Sequence, residues 1–197
     1  MVIAAKTHLH SLEWTRPEWF QRKAWDVDAI FGQQAYWGQW RDAPNVSSKI
    51  SAILEKAEAK TRSELAAYGQ SDDVFGLIHA DMRLANLLVQ WDDLRLIDFD
   101  DCGFGWFFFD FAAAVSFIET RPDLPELVQS WLAGYAQIRQ VSAADRKALP
   151  ALVMLRRMQL LAWIGSHMEA TEPQEMAPYF AAETAQLADR YLADNLF

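Results

Sequence analysis

The feature that most constrains this chain is a pair of short apolar runs, Leu87-Leu88-Val89 and Leu94-Arg95-Leu96-Ile97, joined by Gln90-Trp91-Asp92-Asp93. Runs of that length around a four-residue connection predict a β-hairpin. A hairpin folds the chain back on itself, so Asp98, just past the second strand, comes near Asn86, just before the first. Upstream, Val74-Phe75-Gly76-Leu77-Ile78 reads as a strand or extended lead into His79-Ala80-Asp81-Met82-Arg83-Leu84-Ala85-Asn86. Asp81, Asn86 and Asp98 are groups suited to holding a divalent cation or, for the carboxylates, accepting a proton. All three fall at loop-like positions, and chemistry is expected here before anywhere else.

The rest of the chain reads as helical. From about Ser47 to Tyr68, Ile50, Ile53, Leu54, Ala57, Leu65 and Tyr68 recur at three- and four-residue steps while charged residues fill the remaining face, and Gly69 suits a C-cap. Residues 1 to 14 read as the tail of a helix. On it His8 and His10, two apart, point in different directions, which suits surface or capping histidines better than a metal pair. Between Trp14 and Trp40 the chain is dense in aromatics and broken by Pro17 and Gly32, and a packed cluster beneath loops is expected there. Gly103 and Gly105 suggest a tight loop before an apolar helix from Phe107 to about Ile118. Further helices are expected from Leu124 to about Arg139, after a Ser142/Asp145 capping pair with Pro150 dividing the segment, and from Tyr179 to Asp194. The expected architecture is one domain over residues 1–197, mainly α with a small β-hairpin.

Composition narrows the function classes. With 197 residues, 52% of them hydrophobic, and nine tryptophans, the chain can bury a substantial core. Its formal charge of −9 argues against nucleic acid or an anionic membrane surface as partner, since both need a basic face. A small cation or a metal-complexed anion fits better. The single cysteine, Cys102, excludes an intrachain disulfide and a cysteine-rich metal site. No basic-then-apolar leader and no membrane-length run is present, so a cytoplasmic protein is expected.

Taken together, His79-Ala80-Asp81-Met82-Arg83-Leu84-Ala85-Asn86 followed by Ile97-Asp98-Phe99-Asp100-Asp101 resembles the catalytic and metal-binding segments of the aminoglycoside phosphotransferase and choline kinase-like family. That family is a branch of the protein-kinase-like fold. The aromatic stretch from Trp14 to Trp40 and Cys102-Gly103-Phe104-Gly105-Trp106 also look like members of it. The resemblance covers most of the chain, as the family's C-terminal lobe without the N-terminal β-rich lobe. It implies an ATP- and Mg²⁺-dependent kinase transferring the γ-phosphate to a hydroxyl of a small cationic acceptor. By that resemblance Asp81 orients the hydroxyl and takes its proton, and Asn86 and Asp98 ligate Mg²⁺ and through it the nucleotide. His79 supports the loop by hydrogen bonding. Arg83 either touches phosphate or pairs with Asp100 or Asp101, and Asp100 assists behind the metal or at the substrate ammonium.

Ala80 stands where the family commonly has glycine, and Met82-Arg83 replaces the usual pair after the aspartate. Each acid taken singly also has a structural reading: Asp81 as a cap, Asn86 as a turn residue, Asp98 as a strand-end carboxylate. At this joint spacing the functional reading prevails. The family carries its glycine-rich loop and phosphate-contacting lysine on the N-terminal lobe. The 78 residues ahead of the motif read as helices and loops, so the nucleotide site is expected to be incomplete and the isolated chain weakly active or inactive. The alternative is a non-catalytic binding or self-assembly module that keeps the lobe and forms a homodimer through the apolar surface left uncovered.

Overall fold

The computed structural model describes residues 1–91 and 93–197. In chain order the elements are α1 Val2–Glu13, α2 Val27–Phe31, α3 Ser48–Tyr68, β1 Phe75–Ile78, β2 Leu87–Gln90, β3 Asp93–Leu96, β4 Gly103–Trp106, α4 Phe109–Ala114, α5 Leu124–Ala136, α6 Ala143–Ser166, α7 Thr171–Met176 and α8 Phe180–Leu192. Helices dominate, as the periodicity implies. Two compact units are formed, one from residues 1–25, 68–149 and 197, the other from 26–67 and 150–196.

The first unit holds the four strands found among the described residues. β2 and β3 pair antiparallel with Leu87 opposite Leu96 and Gln90 opposite Asp93, the hairpin expected from the apolar runs. Trp91 in its turn has φ +57°, while Asp92, also assigned to the connection, lies outside the described residues. β1 pairs antiparallel with β4, Phe75 opposite Trp106 and Ile78 opposite Gly103. The expectation of a tight loop at Gly103-Phe104-Gly105 is therefore corrected to a strand. Those glycines serve close approach: a Cβ on Gly103 would lie 2.5 Å from the Lys23 carbonyl oxygen, and one on Gly105 would lie 2.6 Å from Ile78 Cδ1. The periodicity of a four-residue strand with two glycines is invisible in sequence, and glycine more often marks turns.

Beyond β4 the helix is shorter than expected. It closes at Ala114, and Phe117 takes φ +69°, which a continuing helix cannot contain. Phe107, Phe108, Phe109 and Phe111 are all buried. Phe108 meets Tyr135 of α5 at 4.9 Å between ring centroids, and Phe111 meets Trp131 edge-on at 5.3 Å. Burying rings of this size contributes about 1.5–3 kcal/mol each, and Phe107 packs directly on β1, where a Cβ on Gly76 would lie 2.7 Å from its ring.

The second unit is helical. Ser47 Oγ accepts from the Ile50 amide at the start of α3, and Gly69, at φ +78°, ends it in the left-handed conformation expected of a C-cap. Trp40, Leu54, Phe180, Leu187 and Tyr191 are buried in this unit, and Trp40 Nε1 donates to Glu58 Oε2 at 2.8 Å. The capping pair ahead of α6 is present in both directions, Asp145 N to Ser142 Oγ at 3.0 Å and Ser142 N to Asp145 Oδ2 at 2.7 Å. Pro150 does not divide α6, which runs through it. Residues Leu149, Ala151, Leu152, Val153, Met154 and Leu155 are all buried, and that packing outweighs a local cost of about 3 kcal/mol for proline inside a helix. Among the described residues no helix is long and apolar enough to cross a membrane.

Candidate active site

The stretch from His79 to Asn86 leaves β1 as a loop and enters β2 through a short 3₁₀ turn, Leu84–Asn86. Its backbone turns sharply at Ala80, φ +68°. Glycine reaches that region without penalty and alanine does not, which explains why a small residue is needed at the position and why something must hold it. Asp110 of α4 does so. One of its oxygens accepts from the Ala80 amide at 2.7 Å and the other from the His79 amide at 3.1 Å.

His79 is fully buried, with both ring nitrogens engaged: Nε2 donates to the Ile97 carbonyl at 3.0 Å, and Nδ1 accepts from the Asp81 amide at 3.2 Å. That pattern requires a neutral ring protonated at Nε2. The histidine braces the loop against the far strand of the hairpin. Its ring also lies against Phe99, centroids 4.7 Å apart, and both line an apolar cavity of about 200 Å³ with Thr7, Trp14, Leu77 and Cys102. Burial pushes the Cys102 thiol up from its ordinary range.

Asn86 is buried and ties the site together. Its side-chain amide donates to the Asp81 carbonyl at 2.9 Å and to Asp81 Oδ2 at 2.8 Å, while its own carbonyl accepts from the Ile97 amide at 3.1 Å. With both N–H bonds spent on Asp81, the side-chain oxygen is the end left for a cation. Asp81 also faces Arg83, whose Nε lies 3.4 Å from Oδ2. The expectation that Arg83 pairs with Asp100 or Asp101 is corrected: Arg83 pairs with the aspartate of its own loop, two residues away. Asp101 is claimed instead by Lys23, Nζ to Oδ1 at 2.7 Å.

Asp98 follows directly after Ile97, is exposed and has φ +65°. Aspartate tolerates that conformation better than most residues. Its carboxylate makes no hydrogen bond or ion pair among the described residues. Asp100 is exposed too, and its backbone carbonyl lies 3.5 Å from Arg22 Nη1. No group of three His, Cys, Asp or Glu side chains able to hold a metal occurs among the described residues. An amide oxygen and one carboxylate nevertheless fit a cation that keeps several waters and shares its other ligands with phosphate, as Mg²⁺ does.

Sequence reasoning missed two residues here. Asp110 carried a readable signal, an acid inside the apolar run Phe107–Ala114, since a carboxylate at such a position must be paired. His8 was read as a surface or capping residue and is fully buried, with Nε2 2.9 Å from Asp110 Oδ2. His10 is exposed. Nothing local distinguishes the two histidines, because the partner lies 102 residues away.

Comparison with known proteins gives consistent matches. The sequence model of the phosphotransferase enzyme family matches residues 2–152. Amicoumacin kinase of Bacillus subtilis (strain 168) is 25% identical over 150 residues, 71% of this chain and 41% of that protein. The solved structure of a microcompartment-associated aminopropanol kinase is 47% identical, with a TM-score of 0.92 over 98% of this chain and 61% of its own. A solved amicoumacin kinase in complex with AMP-PNP, Ca²⁺ and Ami has a TM-score of 0.71 at 19% identity, covering 94% of this chain and 57% of its own. These matches bear out the kinase-like C-terminal-lobe fold. This chain spans between two fifths and about three fifths of the length of these relatives.

Proposed function

Because the chain belongs to the phosphotransferase enzyme family, we propose that the loop from His79 to Asn86, together with Asp98, forms the metal and acceptor side of a kinase site. That site would pass the γ-phosphate of Mg²⁺–ATP to the hydroxyl of a small cationic amino alcohol. The carrying observation is the Asn86 side chain, bonded twice to Asp81 while its backbone is bonded to Ile97, which gathers the proposed base and the strand that presents Asp98. Phosphoryl transfer asks little covalent work of a protein; it asks for an oriented hydroxyl, a carboxylate near it and neutralised phosphate charge.

Each residue has a role that its geometry supports. Asp81 accepts the hydroxyl proton from the acceptor, and the bonds from Asn86 and the ion pair with Arg83 hold its carboxylate in one orientation. Asn86 Oδ1 and the Asp98 carboxylate are hard oxygen donors for the cation. When bound, the cation neutralises phosphate charge and holds the transferring group in line. His79, neutral and bonded at both nitrogens, keeps the loop in register with β3 and takes no part as a base. Asp100, exposed beside Asp98, supplies negative charge that favours an acceptor ammonium. A net charge of −9 and the 47% identity to an aminopropanol kinase support an amino alcohol over an anionic acceptor.

The test is calorimetry with Mg²⁺–AMP-PNP, followed by ADP release with aminopropanol as acceptor. Binding that requires Mg²⁺ and disappears in Asp98→Ala supports the proposal. Absence of binding, with concentration-dependent dimerisation by light scattering, would replace it with the self-assembly reading.

A further inference from the structure

Asp98 is exposed, at φ +65°, with a carboxylate that no other described residue holds, so its direction is set by the backbone on either side. Upstream the anchor is the hairpin, where the Ile97 amide donates to the Asn86 carbonyl oxygen at 3.1 Å. Downstream the chain turns, with the Cys102 amide donating to the Phe99 carbonyl oxygen at 3.0 Å. That turn is gripped by a segment the proposed chemistry does not use, Lys23-Ala24-Trp25. Lys23 Nζ donates to Asp101 Oδ1 at 2.7 Å, and Trp25 Nε1 donates to the Asp101 carbonyl oxygen at 2.7 Å. Beside them the two backbones pair: the Phe104 amide donates to the Lys23 carbonyl oxygen at 2.9 Å, and the Trp25 amide to the Phe104 carbonyl oxygen at 2.6 Å. Trp25 is buried, and Lys23 Nζ lies 4.1 Å from its ring centroid, so the ammonium is held between a ring and a carboxylate. In the run Asp98-Phe99-Asp100-Asp101, one carboxylate is thus spent on Lys23, and Asp98 and Asp100 stay exposed. A lysine beside a proposed cation site works against metal binding by its charge, so its presence there calls for a positional reason.

We propose that Lys23, seated on Trp25, is the positioning residue of the metal-ligand segment: its pair with Asp101 pins the turn after Asp98 and so sets where the Asp98 carboxylate stands. This rests on the reading of Asp98 as a metal ligand given above. The path is short, from Lys23 to Asp101, through the turn closed between Cys102 and Phe99, and one residue back along the chain to Asp98.

The test compares the intact chain with Lys23→Met, Asp101→Asn, the double variant of these two, Lys23→Arg and Arg121→Met. The last removes an ion pair elsewhere in the same unit, Arg121 Nη2 to Asp123 Oδ2 at 2.7 Å, with the same change of charge as Lys23→Met. Two quantities are read: Mn²⁺–AMP-PNP affinity, and amide hydrogen exchange resolved at Cys102. If Lys23 acted through charge alone, Lys23→Met would tighten binding, Asp101→Asn would weaken it, and the double variant, whose net charge equals that of the parent, would bind as the parent does. Positioning gives a different pattern. The double variant is expected to weaken Mn²⁺–AMP-PNP about three- to tenfold, the scale of a part-buried ion pair, and to speed exchange at the Cys102 amide about tenfold. Arg121→Met leaves both unchanged, and Lys23→Arg, which keeps a cation for Asp101, binds within about twofold of the parent. If the double variant does not fold, Lys23→Met decides alone: weaker binding supports the proposal and equal or tighter binding overturns it, because losing a positive charge by itself favours the cation. Affinity in a folded double variant equal to that of the parent overturns the proposal, as does Cys102 exchange no faster than in Arg121→Met. Faster Cys102 exchange in the double variant beside a parent chain that binds no Mn²⁺–AMP-PNP would support the grip of Lys23 on the turn and overturn the reading of Asp98 as a metal ligand alone.

Discussion

The loop from His79 to Asn86 is buried at His79, Ala80, Met82 and Asn86 and braced by neighbours on α4, at Ile97 just past β3 and at its own far end, whereas the segment from Asp98 to Asp100 is exposed and presents its carboxylates outward. The two lie side by side through the hairpin, joined at the Ile97 amide and by the contact of Phe99 with His79. The difference separates two needs of the proposed chemistry. A base must be aimed before the substrate arrives, so the protein spends hydrogen bonds on it. A metal ligand must keep its oxygen free for the cation, so the protein fixes only its backbone.

Replacing the carboxylate in the braced loop gives the largest expected effect. Under the proposed function, in a preparation with measurable acceptor phosphorylation, Asp81→Asn should lower kcat by about two to four orders of magnitude while Mg²⁺–nucleotide affinity stays within a few-fold, measured by coupled ADP release and calorimetry. An unchanged kcat would erase the distinction between the two segments. In the exposed segment, Asp98→Asn, which keeps a side chain tolerant of φ +65°, should weaken Mg²⁺-dependent nucleotide binding by about tenfold or more, as expected for loss of a charged ligand, and leave the melting temperature nearly unchanged. A large fall in melting temperature would show that Asp98 is structural after all.

Gly105→Ala probes the foundation under the loop. The new methyl would press on Ile78 Cδ1, the last residue of the strand that delivers His79, and should cost about 1–3 kcal/mol by denaturant titration. Trp91→Ser, at the tip of the hairpin where 92% of the tryptophan is exposed, should change stability by less than about 0.5 kcal/mol. Cys102 gives a pH handle on the cavity behind His79. Because burial raises its thiol, iodoacetamide labelling should need a higher pH than a free cysteine does, and the thiolate-dependent rate should still be climbing where a free thiol has levelled off.

Much of this site was legible before any fold was known. The hairpin, the three polar residues around it, the capping pair before α6 and the glycine ending α3 all rest on interactions within a few residues, and local pattern records those. The strand at Gly103–Trp106 was not legible, because its partners on β1 lie 25 to 31 residues upstream, from Ile78 opposite Gly103 to Phe75 opposite Trp106, and its glycines answer to Lys23 and Ile78. The Arg83 pairing was misjudged because the sequence offers several acids at similar distance, and only the loop's turn at Ala80 selects among them.

What the sequence by itself determined is the family, and which polar residues stand around one hairpin. Tertiary structure alone decided how they are held. His8, Tyr135 and Asp110 are separated by more than a hundred residues or by a whole helix, and each looks ordinary where it stands. Burial makes them indispensable to one another, because a carboxylate withdrawn from water must find its donors wherever the chain brings them.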